Sequence, residues 1–512
     1  MKLCAFLVTI GALPLMAATC ESLSELKLPH TTVSVAQAVP AGTFTPPGGR
    51  PIADLPAFCR VAGAIKPTDD SDIRFEVWMP AIGWNGKLQG VGNGGFAGSL
   101  SITGMAPELR RGYATATTDT GHDGAATPGA TWAMGHPQKV IDFGYRAIHE
   151  TAVAAKALIA AFYGEAQKHA YFNSCSNGGR QALMEVQRYP EDYDGIIAGA
   201  PANYWTHLML GGADLAQAIA ANPASFIPPA KVPAIEAAAL AACDATDGVK
   251  DGLIGDPRKC HFDPASLLCK GEESDACLTA PQVAFLRRAY AGPRSATGDS
   301  VYYGYSPGGE TGGNGWVGWI TGSAPEKSLG FGFSSQFFSR MVYENAAWDY
   351  RKFDPEREMK AADAKLAGVL NATDPDMKKF KDRGGKLILY HGWSDAAIPP
   401  VNAIHYYESV VSKMGAASSD SFVRLYMVPG MQHCGGGPGP NSFWSTNPTA
   451  RGDSQHDMEA ALEKWVEGGS APGPIIATHG AERTRELCPY PQVAKWNGTG
   501  SVDQAGSFSC VK

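Results

Sequence analysis

The segment FNSCSNGGRQ, residues 172–181, places a serine where a strand-like run meets a helix-like run. Ser176 lies in the pattern small–x–Ser–x–Gly, with Ser174 and Gly178 at the two small positions. A sharp turn of this kind exposes the serine, and the start of the following helix favours a developing negative charge. The pattern predicts that Ser176 is a nucleophile. The alternative is that Ser176 only caps the helix.

Two later segments supply an acid and a base. Asp395 follows a strand-like run in LILYHGWSDAAIPP, and His433 follows the next one in VRLYMVPGMQHCGG. Asp395 could also be a simple turn residue, and His433 a packed or surface histidine. However, the chain order Ser, Asp, His at three strand ends is the order of the catalytic triad in α/β-hydrolases. The pattern therefore predicts a triad of Ser176, His433 and Asp395.

Acyl transfer at a serine also needs backbone donors for the oxyanion. The first donor is predicted to be the N–H of Asn177, the residue after the nucleophile. The second should come from the glycine-rich turn GNGGFAG, residues 92–98, which follows an early strand-like run. Gly95 is the first candidate and Gly94 the second. The alternative is an ordinary glycine turn.

The cysteines predict a disulfide framework. The chain has 11 cysteines, and Cys4 lies in the N-terminal apolar segment. The remaining even number fits an oxidising compartment. Cys175 and Cys434 adjoin the predicted nucleophile and base, whose side chains must be close, so these two cysteines are expected to pair. The alternative is that both belong to other bridges. The other predicted pairs are Cys20–Cys59, Cys243–Cys260, Cys269–Cys277 and Cys488–Cys510.

The first residues, MKLCAFLVTIGALPLMAATC, have the pattern of a secretory signal peptide, assigned to residues 1–18 with cleavage near Ala17 or Ala18. The apolar run is shorter than the ~20 residues of a membrane span. A lipoprotein modified at Cys20 is the less favoured alternative. No later stretch is expected to cross a membrane. A net charge of −7 argues against a nucleic-acid partner. We therefore expect a secreted or periplasmic protein with neither kind of partner.

The elements that must position these residues alternate between strand and helix. The alternation predicts a largely parallel sheet buried on both faces. The predicted strands are 72–80, 86–96, 113–121, 168–174, 193–201, 385–395 and 421–430, and the predicted helices are 141–164, 177–190 and 457–469. From about residue 204 to 383 the pattern becomes irregular, with many glycines and aromatics. We predict one α/β domain in two parts, 19–203 and 384–512, with residues 204–383 inserted as a lid.

The motifs around the predicted triad resemble the tannase and feruloyl esterase family. The resemblance rests on NSCSNGGRQALMEVQRYPEDYDGIIAGAPA, MQHCGGGPGP and HGWSDAAIPP, and it extends from about residue 20 to 510. It implies a secreted α/β-hydrolase fold with a large lid-domain insertion. It also implies serine-dependent hydrolysis of small esters of aromatic acids such as ferulate. Galloyl esters and mono(2-hydroxyethyl) terephthalate are the alternative substrates. A peptidase of this fold and a binding module with a degenerate hydrolase fold are the alternative classes.

An acidic loop predicts a cation site. CDATDGVKDGLIGDPRKC, residues 243–260, contains Asp244, Asp247 and Asp251, and such oxygen ligands suit Ca²⁺. The spacing is not that of an EF-hand, and a solvated acidic turn fits it equally well. The resemblance implies a structural calcium ion in the lid, with the backbone carbonyls of Val249 and Leu253 completing the site. No organic cofactor is expected.

The predicted lid is rich in aromatic residues, in VYYGYSPGG, NGWVGWI and FGFSSQFFSRMVYENAAWDY. They predict an apolar slot over Ser176 for a planar phenolic acyl group, although most should form the core of the lid itself. Arg340 and Arg351 could reach a substrate carboxylate, but surface ion pairs are the favoured interpretation for both. Structural roles are expected for His122, Asp123, His136 and His149.

Overall fold

The computed structural model describes residues 18–124, 129–443 and 453–512. Apart from Ala18, the predicted signal peptide lies outside the described residues. The strands β1 to β15, in chain order, are Thr31–Val39, Gly42–Phe44, Ile52–Leu55, Phe58–Ile65, Ile73–Pro80, Lys87–Val91, Ala114–Thr118, His169–Cys175, Gly195–Gly199, Lys386–Gly392, Val423–Val428, Ile475–His479, Arg483–Leu487, Val493–Trp496 and Phe508–Val511.

Nine of these strands form one mixed sheet, in the order β1-β4-β5-β7-β6-β8-β9-β10-β11. The pairs from β1 to β7 are antiparallel. All pairs from β7 to β11 are parallel. Every residue of β9, GIIAG, is buried, as expected for a parallel strand covered on both faces. The carboxyl ends of β8, β10 and β11 therefore share one edge of the sheet.

The helices α1 to α14, in chain order, are Ile102–Arg110, Pro137–Ile141, Ala147–Tyr163, Asn177–Arg188, Trp205–Ala221, Val232–Cys243, Ala280–Ala291, Trp316–Trp319, Leu329–Gln336, Pro355–Leu370, Lys378–Asp382, Val401–Met414, Ala416–Asp420 and Met458–Gly468. Two π-helical turns, Asp142–Arg146 and Phe337–Val342, adjoin α3 and α9. The strands and helices predicted for the core are all present. The strand predicted over 86–96 ends early, at Val91, where the glycine-rich turn begins.

Sequence analysis missed the antiparallel edge of the sheet. The outermost strand, β1, alternates poorly between buried and exposed residues, because a bulge between Val33 and Val35 shifts its register against β4. A strand with one irregular partner lacks the clean period-2 pattern on which such predictions depend. The fold class is nevertheless as predicted, with helices on both faces of a largely parallel sheet.

The segment between β9 and β10, all of which the structure describes, adds no strand to the sheet. The absence of regular strand–helix alternation is as predicted, but helices α5 to α11 of this segment were not predicted. The glycines that suggested irregularity allow close helix packing instead. A Cβ at Gly212 of α5 would lie 2.1 Å from the carbonyl oxygen of Gly330 in α9, so only glycine fits there. The lid boundaries at 204 and 383 stay predictions.

One described segment, Pro223–Asp247, has the length and composition of a membrane span. The expectation that no such stretch follows the N-terminus is therefore wrong on those two measures. The segment is not one regular helix, since 3₁₀ turns at Pro223–Ser225 and Pro229–Lys231 precede α6. Val232 and Ile235 of α6 are buried in one apolar cluster with Leu286 of α7. This packing is typical of a core helix of the inserted segment.

Among the described residues there are five disulfides, and they join the five pairs predicted from the sequence. The Cys20–Cys59 bond ties the N-terminal segment to β4. It also occupies the sulfur that lipid modification of Cys20 would require. The lipoprotein alternative is therefore incompatible with this bond.

Candidate active site

Ser176 occupies the sharp turn between β8 and α4. Its backbone has φ 67° and ψ −125°, a strained conformation for a residue with a side chain, at a cost of about 1–3 kcal/mol. The turn is held because the Ser176 N–H donates to the Gly199 carbonyl at 3.0 Å. Ser176 makes no side-chain cap hydrogen bond to α4, so capping does not explain this serine.

The glycines after Ser176 are required by close packing. A Cβ at Gly178 would lie 1.8 Å from Ser174 Oγ, and a Cβ at Gly179 would lie 2.3 Å from the Gly199 carbonyl oxygen. Real Cβ contacts are never that short. Only glycine at positions 178 and 179 therefore lets α4 begin so close to β8 and β9. The small–x–Ser–x–Gly pattern thus has a direct steric cause.

The three predicted triad residues meet at the carboxyl edge of the sheet. His433 Nε2 lies 2.9 Å from Ser176 Oγ, and His433 Nδ1 lies 2.9 Å from Asp395 Oδ2. Both distances are hydrogen bonds, and together they form a continuous serine–histidine–aspartate chain. Asp395 is 2% exposed. This geometry permits His433 to accept the serine proton while Asp395 orients the imidazole ring.

The Asp395 carboxylate accepts four hydrogen bonds. Oδ1 accepts from the N–H groups of Ala397 at 2.8 Å and Ile398 at 2.9 Å. Oδ2 accepts from His433 and, at 3.1 Å, from His391 Nε2. Burial alone would raise the pKa of Asp395, but the charge of His433 and the hydrogen bonds from both histidines lower it well below its usual range. Asp395 is therefore ionised wherever the enzyme could work.

Sequence analysis did not single out His391. The only signal was a histidine four residues before the predicted acid, within the same segment. That signal is weak, because β10 ends between the two residues and the path of the turn is not readable from sequence. In the structure the turn folds back, so that His391 and His433 both contact the same oxygen of Asp395.

The Cys175–Cys434 disulfide joins the residue before Ser176 to the residue after His433. Its Cα atoms are 5.9 Å apart, and it links positions separated by 259 residues. Cys434 has φ 60°, so the histidine loop turns sharply at this bond. The covalent link fixes the two loops whose side chains must stay in hydrogen-bond contact.

Gly95 and Asn177 line the same cavity as Ser176 and His433. Asn177 is the first residue of α4, so its N–H has no acceptor within the helix and is free to point at a ligand. Gly94, the second candidate, is not among the described residues that line the cavity. The Gly94 carbonyl instead closes the turn by accepting the Ala97 N–H at 2.9 Å.

The glycine-rich turn is anchored from two sides. Asn93 Nδ2 donates to the Ser99 carbonyl at 2.8 Å and to the Thr118 carbonyl at 2.7 Å. His122 Nε2 lies 2.7 Å from the Phe96 carbonyl. Burial lowers the pKa of His122 to about 4, so the ring is neutral and donates this bond. The structural role predicted for His122 is thus specifically to hold this turn.

Two of the other residues with predicted structural roles lie within hydrogen-bond distance of aspartates. His136 Nδ1 lies 2.6 Å from Asp70 Oδ1, and His149 Nδ1 lies 2.6 Å from Asp192 Oδ2. Neither lines the cavity beside Ser176. His136 and His149 are therefore accounted for by local pairing.

A mainly apolar cavity with four aromatic side chains in its lining opens beside Ser176. Trp319 meets the His433 ring edge-on, with ring centroids 5.2 Å apart, and Phe333 stacks parallel to Trp319 at 6.0 Å. Ile398, which follows Asp395, adds a wall from the core side. The remaining side chains and glycines of the lining come mainly from the inserted segment: Trp205, Leu208, Met209, Gly212, Tyr305, Gly330 and Ser334, together with Ala202 and Ala397.

Neither candidate arginine reaches this cavity. Arg340 directs Nη1 to Met134 Sδ at 3.4 Å. Arg351 pairs with Asp349 on the surface, with 63% of its side chain exposed. Neither side chain is therefore placed to bind a substrate carboxylate in this cavity, and Arg351 forms the surface ion pair that was the favoured interpretation. Among the described residues, the cavity lining contains no lysine or arginine.

The acidic loop packs against the C-terminal hairpin. Asp251 pairs with Arg483 at 3.1 Å and also with Arg485. Both carboxylate oxygens of Asp244 accept backbone N–H groups, from Asp251 and from Gly252, each at 3.1 Å. Burial, together with the charges of Asp251 and Asp244, raises the pKa of Asp247 to about 6. Arginines therefore compensate the Asp251 carboxylate, and backbone N–H groups compensate that of Asp244.

This donor set fits a hard cation chemically. Three carboxylates and two backbone carbonyls are all oxygen donors, which is the ligand chemistry of Ca²⁺. A Cβ at Gly255 would lie 2.6 Å from Asp247 Oδ2, so glycine keeps the space beside that carboxylate open. Among the described residues, the one group of three acidic, histidine or cysteine side chains with ligand atoms within 4.8 Å of one another is Glu486, Cys488 and Cys510, and its two cysteines form a disulfide. The three carboxylates of the acidic loop are therefore not gathered to that distance.

The sheet order, the strained elbow and the hydrogen-bonded triad together define an α/β-hydrolase with an inserted helical segment. Residues 59–511 match the family model for tannase and feruloyl esterase. The chain therefore belongs to the tannase and feruloyl esterase family and is a carboxylic ester hydrolase.

Individual relatives span almost the whole chain. An uncharacterized esterase of Xanthomonas campestris pv. campestris is 45% identical, covering 99% of this chain and 94% of that protein. The mono(2-hydroxyethyl) terephthalate hydrolase of Piscinibacter sakaiensis is 35% identical, covering 96% and 92%. The crystal structure of feruloyl esterase B from Aspergillus oryzae has a TM-score of 0.88 at 29% identity, covering 96% of this chain and 99% of that one.

Proposed function

We propose that this protein hydrolyses esters of aromatic acids of the feruloyl type, whose acyl group carries no second carboxylate. The reaction proceeds through an acyl-enzyme formed on Ser176. One observation carries the proposal: the chain from Ser176 through His433 to Asp395 opens directly into a cavity lined by aromatic side chains. The flat, apolar lining suits a planar acyl group. An intact, hydrogen-bonded triad argues against a degenerate binding module.

In the first step, His433 Nε2 takes the proton of Ser176 Oγ as the oxygen attacks the ester carbonyl. Asp395 orients the ring and stabilises the imidazolium that forms. The N–H groups of Asn177 and Gly95 receive the negative charge of the tetrahedral oxygen. The imidazolium then gives its proton to the leaving alcohol, and the acyl group stays on Ser176.

In the second step, His433 removes a proton from water, which attacks the acyl-enzyme. The same two backbone donors stabilise the second tetrahedral intermediate. The proton returns to Ser176 Oγ, and the aromatic acid leaves. Both steps use Ser176, His433, Asp395, the two backbone N–H groups and water.

The candidate substrates differ in the charge of their acyl group, and the cavity lining favours an uncharged one. Terephthalate monoesters carry a second carboxylate, and a buried carboxylate needs a cation or several donors. The described lining contains neither lysine nor arginine, so we expect this ester to be a poor substrate. Galloyl esters are the second candidate, because Tyr305 and Ser334 bring two hydroxyl groups to the lining. The feruloyl type matches the predominantly apolar surface best.

The test is a comparison of initial rates on methyl ferulate, methyl gallate, mono(2-hydroxyethyl) terephthalate and a peptide anilide. Ser176→Ala serves as the blank and should lose about 10⁶-fold in kcat. Ser409→Ala, a serine on α12 that bonds only the Tyr406 carbonyl, is the matched control. A fluorophosphonate probe should label the wild type and not Ser176→Ala. Hydrolysis of the anilide in preference to all esters would contradict the proposal.

We further propose that the acidic loop binds a structural Ca²⁺ ion. The carboxylates of Asp244, Asp247 and Asp251 and the carbonyls of Val249 and Leu253 would hold it, and its charge would offset their repulsion. Protein dialysed into metal-free buffer and refilled with Ca²⁺ should take up one ion by elemental analysis. EDTA should lower Tm by several degrees. A Tm unmoved by EDTA together with no bound calcium would exclude the site.

The disulfides also support export as a proposal. Five bonds fit an oxidising compartment, and the N-terminal segment has the pattern of a cleaved signal peptide. The full chain should be expressed in a bacterium and the periplasmic fraction isolated. The protein recovered there should have a mature N-terminus near Ala18. A protein that keeps its first residues and stays in the cytoplasm would contradict export.

A further inference from the structure

We propose that His391 is a positioning residue, which holds Asp395 as an ionised, fixed acceptor for His433. This inference rests on the proposed function, since it concerns the acid of the same triad. It adds a second histidine to that acid, at a position that touches neither the substrate nor Ser176.

The contacts of His391 carry the argument. His391 Nε2 lies 3.1 Å from Asp395 Oδ2, the same oxygen that accepts the His433 bond. It also lies 3.1 Å from the carbonyl oxygen of Ile398. His391 and Asp395 side chains are both fully buried. A single N–H group therefore connects the triad acid with a residue of the cavity wall.

These contacts determine the tautomer. Both partners of Nε2 are acceptors, so Nε2 must carry the hydrogen. His391 Nδ1 is buried without a hydrogen-bond partner among the described residues. The hydrogen bonds of the ring are therefore donated from Nε2. His391 thus acts as a hydrogen-bond donor to the triad acid.

The other titratable groups near Asp395 are tyrosines. The Asp395 charge acts on Tyr302, Tyr305 and Tyr390, and burial raises the pKa of all three hydroxyl groups. They remain neutral in the range where the enzyme works.

Without the His391 donor, Asp395 Oδ2 keeps only His433 as a partner, and the Ile398 carbonyl loses its bond. A carboxylate with fewer donors attracts the imidazolium form of His433 more strongly. In a plot of kcat/KM against pH, the fall in rate on the acid side, the acid limb, should then begin at a higher pH. The turn carrying Asp395 should also be less well fixed, which lowers kcat more than it changes KM.

The experiment compares His391→Gln, His391→Asn and His391→Met. Glutamine can place its amide near the position of the imidazole Nε2, asparagine is one methylene too short, and methionine has no donor. His149→Met, which breaks a histidine–aspartate pair away from the cavity, is the matched control. The readouts are kcat, KM and the rate of fluorophosphonate labelling of Ser176 between pH 5 and 9.

We expect His391→Met and His391→Asn to lower kcat and the labelling rate by about 10- to 100-fold, the size of one hydrogen bond to a charged group. Their acid limbs should shift upward, and His391→Gln should recover most of the loss. Equal rates and unshifted limbs for Gln and Asn would overturn the inference, even if the Met variant does not fold. A wild type that the probe fails to label would instead overturn the proposed function.

Discussion

Two regions face each other across the cavity beside Ser176, and they are built by different rules. At the sheet edge, Ser176, Asp395 and His433 each follow the end of a strand closely, and hydrogen bonds fix them. In the inserted segment, Trp319 and Phe333 are placed by ring packing between helices. We therefore expect the sheet edge to control the rate of the chemical step and the inserted segment to control the choice of substrate.

The two regions are not independent. Gln432, next to the base, donates from Nε2 to the Gly309 carbonyl at 2.9 Å. Asn314 Nδ2 lies 3.4 Å from the His433 carbonyl oxygen. The histidine loop therefore borders both the sheet and the inserted segment, and changes in either region reach it.

The largest effect that separates the regions should come from removing the disulfide at the sheet edge. Cys175→Ser combined with Cys434→Ser frees the elbow from the histidine loop, and a displacement of about 1 Å costs about 10²-fold in rate. We expect a loss of about 10- to 100-fold in kcat, measured on the best ester. Cys269→Ser with Cys277→Ser, which opens a bridge in the inserted segment, is the control. If both double variants lose rate equally, the sheet edge has no special role.

A smaller effect should come from the facing aromatic wall. Trp319→Ala removes the ring that meets His433 edge-on, and such contacts contribute about 1 kcal/mol beyond buried area. KM for the aromatic ester should rise about 10-fold, while kcat changes less. Trp348→Ala is the matched control, because Trp348 stacks on Phe338 and does not line the cavity. A loss confined to kcat would mean that Trp319 supports the chemical step of the triad and does not contribute to substrate selection.

The smallest effect on activity, although not on stability, concerns two buried carboxylates, one in each region. Asp395 accepts four hydrogen bonds, whereas Glu310 accepts two at Oε1 and leaves Oε2 without a partner among the described residues. Burial raises the pKa of Glu310 to about 7. A carboxyl group with a raised pKa stabilises the fold at low pH, and this contribution is lost as pH rises toward the folded pKa. For Asp395 the sign is opposite.

Glu310→Gln should therefore remove a pH dependence rather than abolish activity. Between pH about 4.5 and about 7, the wild type should lose up to about 3 kcal/mol in free energy of unfolding from this group. The variant should lack that component of the slope. Urea unfolding at pH 5, 6, 7 and 8 measures it, and parallel curves for the two proteins would contradict a raised pKa at Glu310.

Much of the sheet edge was predictable, because its residues are tied to local backbone geometry. The elbow around Ser176 needs small neighbours for steric reasons, and these leave a recognisable pattern. Asp395 and His433 were found from their positions after strands. Even the Cys175–Cys434 bond follows, because two side chains in contact bring their sequence neighbours together. The helices of the inserted segment were missed because close packing at Gly212 imitates an irregular, glycine-rich loop.

The amino-acid sequence by itself determined the fold class, the three triad residues and the disulfide pairs, since each depends on local spacing or on adjacency to another predicted contact. Only the tertiary structure decided that His391 reaches Asp395, that Gly95 lines the cavity, and that Arg340 and Arg351 do not. These outcomes depend on where a turn folds back and which way a side chain packs. Such directions come from contacts between segments far apart in the chain, and no local pattern encodes them.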